Sequence, residues 1–89
     1  MKFYLVKTET CVKCRQLLPT FEDFAKRNPD VECEVICFGS SDKDDMVIKA
    51  GIQSVPALLV EKNGKIFPYP PLQTGTDFDY IKQIESEGK

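Results

Sequence analysis

The spacing of apolar and polar positions changes several times along the chain, and each change marks an element. Phe3-Tyr4-Leu5-Val6 is a continuous apolar run rich in aromatic and branched residues, too brief for a helix, and reads as a buried strand. From Cys14 onward Leu18, Phe21 and Ala25 recur at spacings of four, three and four, with Leu17 and Phe24 alongside. That is one apolar face of a helix from about Cys11 to Asn28, which Pro29 stops. Val31 to Phe38 alternates and then runs apolar, as a second strand does, and Gly39 closes it. Ser41 with Asp44 has the form of a capping box and opens a short amphipathic helix through Met46, Val47 and Ala50, with Lys49 and Gly51 as stop signals. Ala57 to Val60 is a third strand, and Asn63-Gly64 before Lys65-Ile66-Phe67 signals an antiparallel hairpin. Pro68, Pro70 and Pro71 forbid regular structure, after which Thr76 with Asp79 caps a last helix that carries Phe78, Ile81 and Ile84 inward.

The resulting order is βαβαββα: a parallel unit, a helix, a hairpin and a closing helix around one four-stranded mixed sheet. By pattern alone this is a three-layer α/β sandwich.

Composition narrows the function. The 89 residues make room for one domain, residues 1–89, with 12 basic against 14 acidic side chains and a net charge of −2. No run of Lys or Arg and no interleaving of aromatic with basic residues leaves a nucleic-acid footprint. The longest apolar stretches fall far below the ~20 residues of a membrane span. Met1-Lys2 and four apolar residues before Lys7 are too few for a signal-peptide core, so a cytoplasmic, reducing compartment is expected. Four cysteines there point to redox chemistry or metal rather than to a disulfide framework.

Cys11-Val12-Lys13-Cys14 lies in the first βα turn, where a helix begins. The unpaired N–H groups and positive end of that helix stabilise a thiolate at Cys11, by ~0.3–1 kcal/mol from the dipole alone. Lys13 adds a cation, and thiols in such environments have a pKa of about 3.5–7.5. Cys11 is therefore a candidate nucleophile. Cys14, three residues on, is placed to attack a mixed disulfide on Cys11 and release the substrate. The pair is also a metal half-site, and with Cys33 and Cys37 the count approaches a four-cysteine zinc site. Against zinc, Cys33 and Cys37 lie four residues apart in a strand, about 13 Å at ~3.3 Å per residue, too far to share one ion. They read as small buried hydrophobes on one strand face with Val31 and Val35. A binding module with an incidental redox pair is a third reading.

The Cys-x-x-Cys together with Pro19, five residues after Cys14, and the segment Gly51 to Lys65 resemble the thioredoxin superfamily. Gly75, just before the last helix, matches the family glycine that lets a substrate chain approach. The resemblance covers nearly the whole chain. It implies a thioredoxin-like sandwich, a cis Val55–Pro56 bond turned toward Cys11, and a dithiol–disulfide oxidoreductase acting on protein disulfides.

The sequence also departs from that pattern. There is no Trp anywhere in the chain, and Leu5 stands where thioredoxins carry a buried acid. The first strand is the family's central one, as in glutaredoxins, yet Val12-Lys13 replaces the usual glutaredoxin Pro-Tyr, and that family's paired glycines are missing. Lys7 and Lys13 could still hold a glutathione carboxylate. The expected site is therefore Cys11 and Cys14 as the reacting pair, with Lys13, Val55, Pro56 and Gly75 toward substrate. A thioredoxin-reductase-type reductant is expected, glutathione being the alternative. No cofactor and no metal are implied, and a monomer is expected.

Overall fold

Phe3, Tyr4, Leu5 and Val6 are all buried, which one strand achieves only when both faces of its sheet are covered. The computed structural model, which describes residues 1–69 and 75–87, covers them with helices on each side. Its elements are β1 (Lys2–Lys7), α1 (Val12–Arg27), β2 (Glu32–Cys37), α2 (Asp44–Lys49), β3 (Ala57–Lys62), β4 (Lys65–Tyr69) and α3 (Phe78–Glu87). The sheet order is β2-β1-β3-β4, with β1 parallel to β2 and antiparallel to β3, and β3 antiparallel to β4. This is the expected four-stranded mixed sheet in a three-layer sandwich.

Alternation along β1 and β3 sorts two cores. Phe3, Leu5, Leu58 and Val60 meet Leu17, Phe21 and Phe24 of α1 and Phe78 and Ile81 of α3. Tyr4, Val6, Ala57 and Leu59 face the other way, clustering with Ile36 of β2 and Val47 of α2. The first core is built on rings: Phe3 stacks on Phe24 with centroids 5.2 Å apart, and Phe78 meets Phe21 edge-on at 5.1 Å. In the second, Tyr4 needs a partner for its buried hydroxyl and donates to Glu61 Oε1 at 2.8 Å.

Several expectations are corrected. The inward face of α1 is Cys14, Leu17, Phe21 and Phe24, while Leu18 and Ala25 flank it half-buried. α2 starts at Asp44, not Ser41: the Ser41 hydroxyl accepts from Lys43 N, and the Asp44 carboxylate accepts from Gly39 N at 3.1 Å instead of closing a capping box. α3 is capped by Asp77 rather than Thr76, since Tyr80 N donates to Asp77 Oδ1 and Ile81 N to Asp77 O. Asp79 is thereby free to reach α1, and Ile84 ends 41% exposed. Pro68 does not end regular structure but pairs with Leu59 inside β4. Asn63 and Gly64 have φ of 55° and 76°, as a two-residue type I′ turn requires. Counting the antiparallel ladder from that turn leaves Pro68 where an N–H would point away from β3, so the edge strand tolerates it. Pro70 and Pro71 lie outside the described residues. Cys33 and Cys37 are half-buried and Val35 is exposed, because β2 is the other edge of the sheet.

Polar ties fix α3. Arg27 Nη1 donates to Asp79 Oδ2 at 2.9 Å and Asn28 Nδ2 to Asp79 Oδ1 at 3.2 Å, joining the end of α1 to the start of α3. Farther along, Glu85 accepts from the Tyr69 hydroxyl and faces Lys62 Nζ at 3.4 Å, joining α3 to the hairpin. Burial, and secondarily Glu85, push the Tyr69 hydroxyl's pKa up.

Truncating Phe24, which is fully buried against Phe3, should destabilise the fold by about 3–5 kcal/mol, read as a lower urea midpoint in Phe24→Ala. The Arg27 guanidinium holds the Asp79 carboxyl below its ordinary value. A carboxyl lowered in the folded state adds stability that is complete above the unfolded pKa, near about 4, and is lost as the pH falls through the folded value. The melting temperature should therefore drop more between about pH 5 and pH 3 in the parent than in Asp79→Asn. The difference should be small for this half-exposed pair and should shrink in about 1 M salt.

Candidate active site

The chain leaves β1 at Lys7, turns through Thr8, Glu9 and Thr10, and enters α1 with Cys11 as its N-cap. The turn is closed by Cys11 N donating to Thr8 O, and the helix begins with Arg15 N donating to Cys11 O. Cys11 has extended backbone angles, φ −81° and ψ 109°, which set its side chain back over the first turn. Its sulfur accepts the backbone N–H of Cys14 at 3.1 Å. That N–H is one of the helix's unpaired donors, so it favours charge on the Cys11 sulfur once the thiol is free.

Cys11 and Cys14 are joined by a disulfide, with Cα atoms 5.2 Å apart. The two sulfurs are not equivalent. Cys11 is partly exposed, whereas Cys14 is 0% exposed and belongs to the inward face of α1. Val12, between them, stands 61% exposed on the outer side of the turn, beside exposed Lys13.

The Val55–Pro56 bond is cis. Pro56 is buried and Val55 is half-buried. An apolar cavity of about 150 Å³ brings this loop to the turn before Cys11: Thr8, Phe38, Gln53, Ser54 and Val55 share its wall with Val6, Val47 and Ile52. Gly75 is exposed at the approach to α3, and a Cβ there would meet open space. Among the described residues, no hydrogen bond or ion pair ties Lys13 or Gly75 to the cysteine pair. Cys33 and Cys37 lie along β2, opposite Phe3 and Lys7 of β1. Burial pushes the Cys33 thiol's pKa up, and its Sγ lies 3.8 Å from Val31 O. Among the described residues no group of three or more His, Cys, Asp or Glu side chains is placed to hold a metal ion.

Residues 1–83 match the thioredoxin family. The chain belongs to that family. Among solved structures, the fold resembles Fasciola hepatica thioredoxin with a TM-score of 0.75 at 19% identity, over 96% of this chain and 78% of that one. Thioredoxin 1 from Thermosipho africanus gives 0.66 at 20% identity over 100% of both chains. Oxidised thioredoxin O2 from Arabidopsis thaliana gives 0.68 at 20% identity, over 99% of this chain and 75% of that one. No curated protein sequence matches this chain.

Within this thioredoxin-family site, Thr8 and Phe38 are contributors that periodicity did not single out. The available signal was positional, since both follow the carboxyl ends of parallel strands, where open α/β sheets place their ligands. After reduction, the partly exposed Cys11 should react with iodoacetamide faster than the buried Cys14, measured by quenching at intervals and mapping the labelled peptides. Equal rates would contradict the asymmetry of the pair.

Proposed function

We propose that this chain reduces disulfide bonds in protein substrates through the Cys11/Cys14 dithiol, and that a thioredoxin-reductase-type partner restores the dithiol. The observation that carries this reading is the unequal exposure of two cysteines joined at the start of a helix. The partly exposed Cys11 thiolate attacks one sulfur of the substrate disulfide, forming a mixed disulfide and expelling the other substrate sulfur as a thiolate. Cys14 loses its proton and attacks Cys11 Sγ. The Cys11–substrate bond breaks, the second substrate thiol leaves, and the Cys11–Cys14 bond closes. Two electrons pass from protein to substrate, and the reductase returns two.

The loop at Val55 and Pro56 supports docking of an extended substrate. Pro56 lacks an N–H, leaving the Val55 backbone to pair with a substrate strand, and exposed Gly75 offers a second approach without a side chain in the way. Lys13 is exposed one position before Cys14, where it would attract acidic substrates. The reaction needs no resident cofactor, and a reducing cytoplasm is the compartment in which such a dithiol stays available.

The test is reduction of insulin disulfides followed by NADPH oxidation, once with thioredoxin reductase and once with glutathione plus glutathione reductase. Faster turnover with thioredoxin reductase is expected. Cys11→Ser should abolish turnover, while Cys14→Ser should accumulate a mixed disulfide visible by mass spectrometry. Faster turnover with glutathione, lost in Lys13→Glu, would replace this reading with a glutaredoxin one. Zinc bound by the purified chain and lost in Cys33→Ser would replace it with a metal site.

A further inference from the structure

The two edges of the sheet are built differently. On β2, Glu32 N donates to Met1 O and Phe38 N to Lys7 O, so the two-residue period of the parallel ladder turns residues 32, 34, 36 and 38 toward β1. The backbone groups of Cys33, Val35 and Cys37 therefore point outward, where the sheet order of the described residues places no further strand. Pro68 removes an outward donor from the β4 edge, but β2 contains no proline and no bulge. Its outward row is Cys33 N–H and C=O, Val35 N–H and C=O, and Cys37 N–H; the Cys37 carbonyl already accepts from Ser40 N and Oγ.

We propose that β2 is a self-association edge, pairing antiparallel with β2 of a second copy about a two-fold axis through Val35. In this register Val35 faces Val35 of the second copy and exchanges two hydrogen bonds with it, and each Cys37 N–H meets the Cys33 carbonyl across the axis. Glu34 then lies opposite Ile36, so no like charges face each other. Sliding by one residue to centre the axis on Glu34 keeps the number of unencumbered bonds but sets two carboxylates face to face. Sliding the other way makes half of the bonds share the occupied Cys37 carbonyl. The blunted β4 edge disfavours head-to-tail growth, so association closes at two copies. Because the paired strands run in opposite directions, the two Cys11 ends lie on opposite rims of the joined sheet, and both stay open. The monomer expected from the sequence takes no account of this edge, and the inference stands independently of the proposed redox function.

The experiment is sedimentation of the oxidised chain over a concentration series up to about 1 mM, the weak end of measurable association. It should show a reversible rise from one to two copies. Val35→Pro removes the outward N–H without deleting a bond of the β1–β2 ladder, and Val35→Lys sets two cations on the axis. Both should remain monomeric over the same range, with far-UV circular dichroism unchanged. A sample mixing labelled and unlabelled chains should give an intermolecular NOE between the Glu34 and Ile36 Hα protons, which face each other in a non-hydrogen-bonded pair. A single-copy mass throughout, species larger than two copies, a dimer that survives in both variants, or a Glu34-to-Glu34 contact in place of the expected one would each overturn the proposal.

Discussion

Burying four consecutive side chains of β1 constrains everything else in this molecule. A strand apolar on both faces needs a neighbour on each edge and a helix layer above and below. The chain meets the first demand with β2 and β3, and the second with α1 and α3 on one side and α2 on the other. The parallel β1–β2 pairing requires a crossover, and α1 is that crossover. Cys11 is therefore carried to a helix start just past the end of a strand buried on both faces.

That placement separates the two sulfurs by environment although they are three residues apart. Helix geometry puts Cys14 on the stripe with Leu17, Phe21 and Phe24, so packing the aromatic core buries it. Cys11, one position before the helix, escapes the stripe and collects the N–H that the first turn leaves unpaired. The cavity between the Thr8 turn and the Val55 loop follows from the same topology. Both loops leave the sheet at the end where the parallel strands terminate, and α2 is too short to fill the space between them.

Much of this was legible in the residues. Strong periods and the Asn-Gly turn located the elements, and the Cys-x-x-Cys could be placed at a helix start because the strand before it and the amphipathic run after it are both clear. The cis bond was legible only through family resemblance, since nothing local to Val55-Pro56 distinguishes it from a trans pair. Caps were misplaced by one to three residues because Ser41, Asp44, Thr76 and Asp77 all have capping side chains, and tertiary partners decide among them: Asp44 is drawn to Gly39 and Asp79 to Arg27. The exposure of Val35 was hidden for a different reason. Whether a strand is central or lateral depends on where β3 inserts, and β3 lies some twenty residues farther along the chain.

The order of synthesis gives the β1–β3 register a consequence for the nascent chain. Phe3 pairs with Val60, and Val6 with Ala57. Ribosomes add about 5–20 residues each second, so Phe3 waits roughly 3–11 s between its own synthesis and that of its partner. During that interval a strand buried on both faces in the finished protein has at best one of its two edges paired. Translation speed upstream of Ala57, and any chaperone that holds short apolar segments, thus bear on the yield of this protein more than on its final stability.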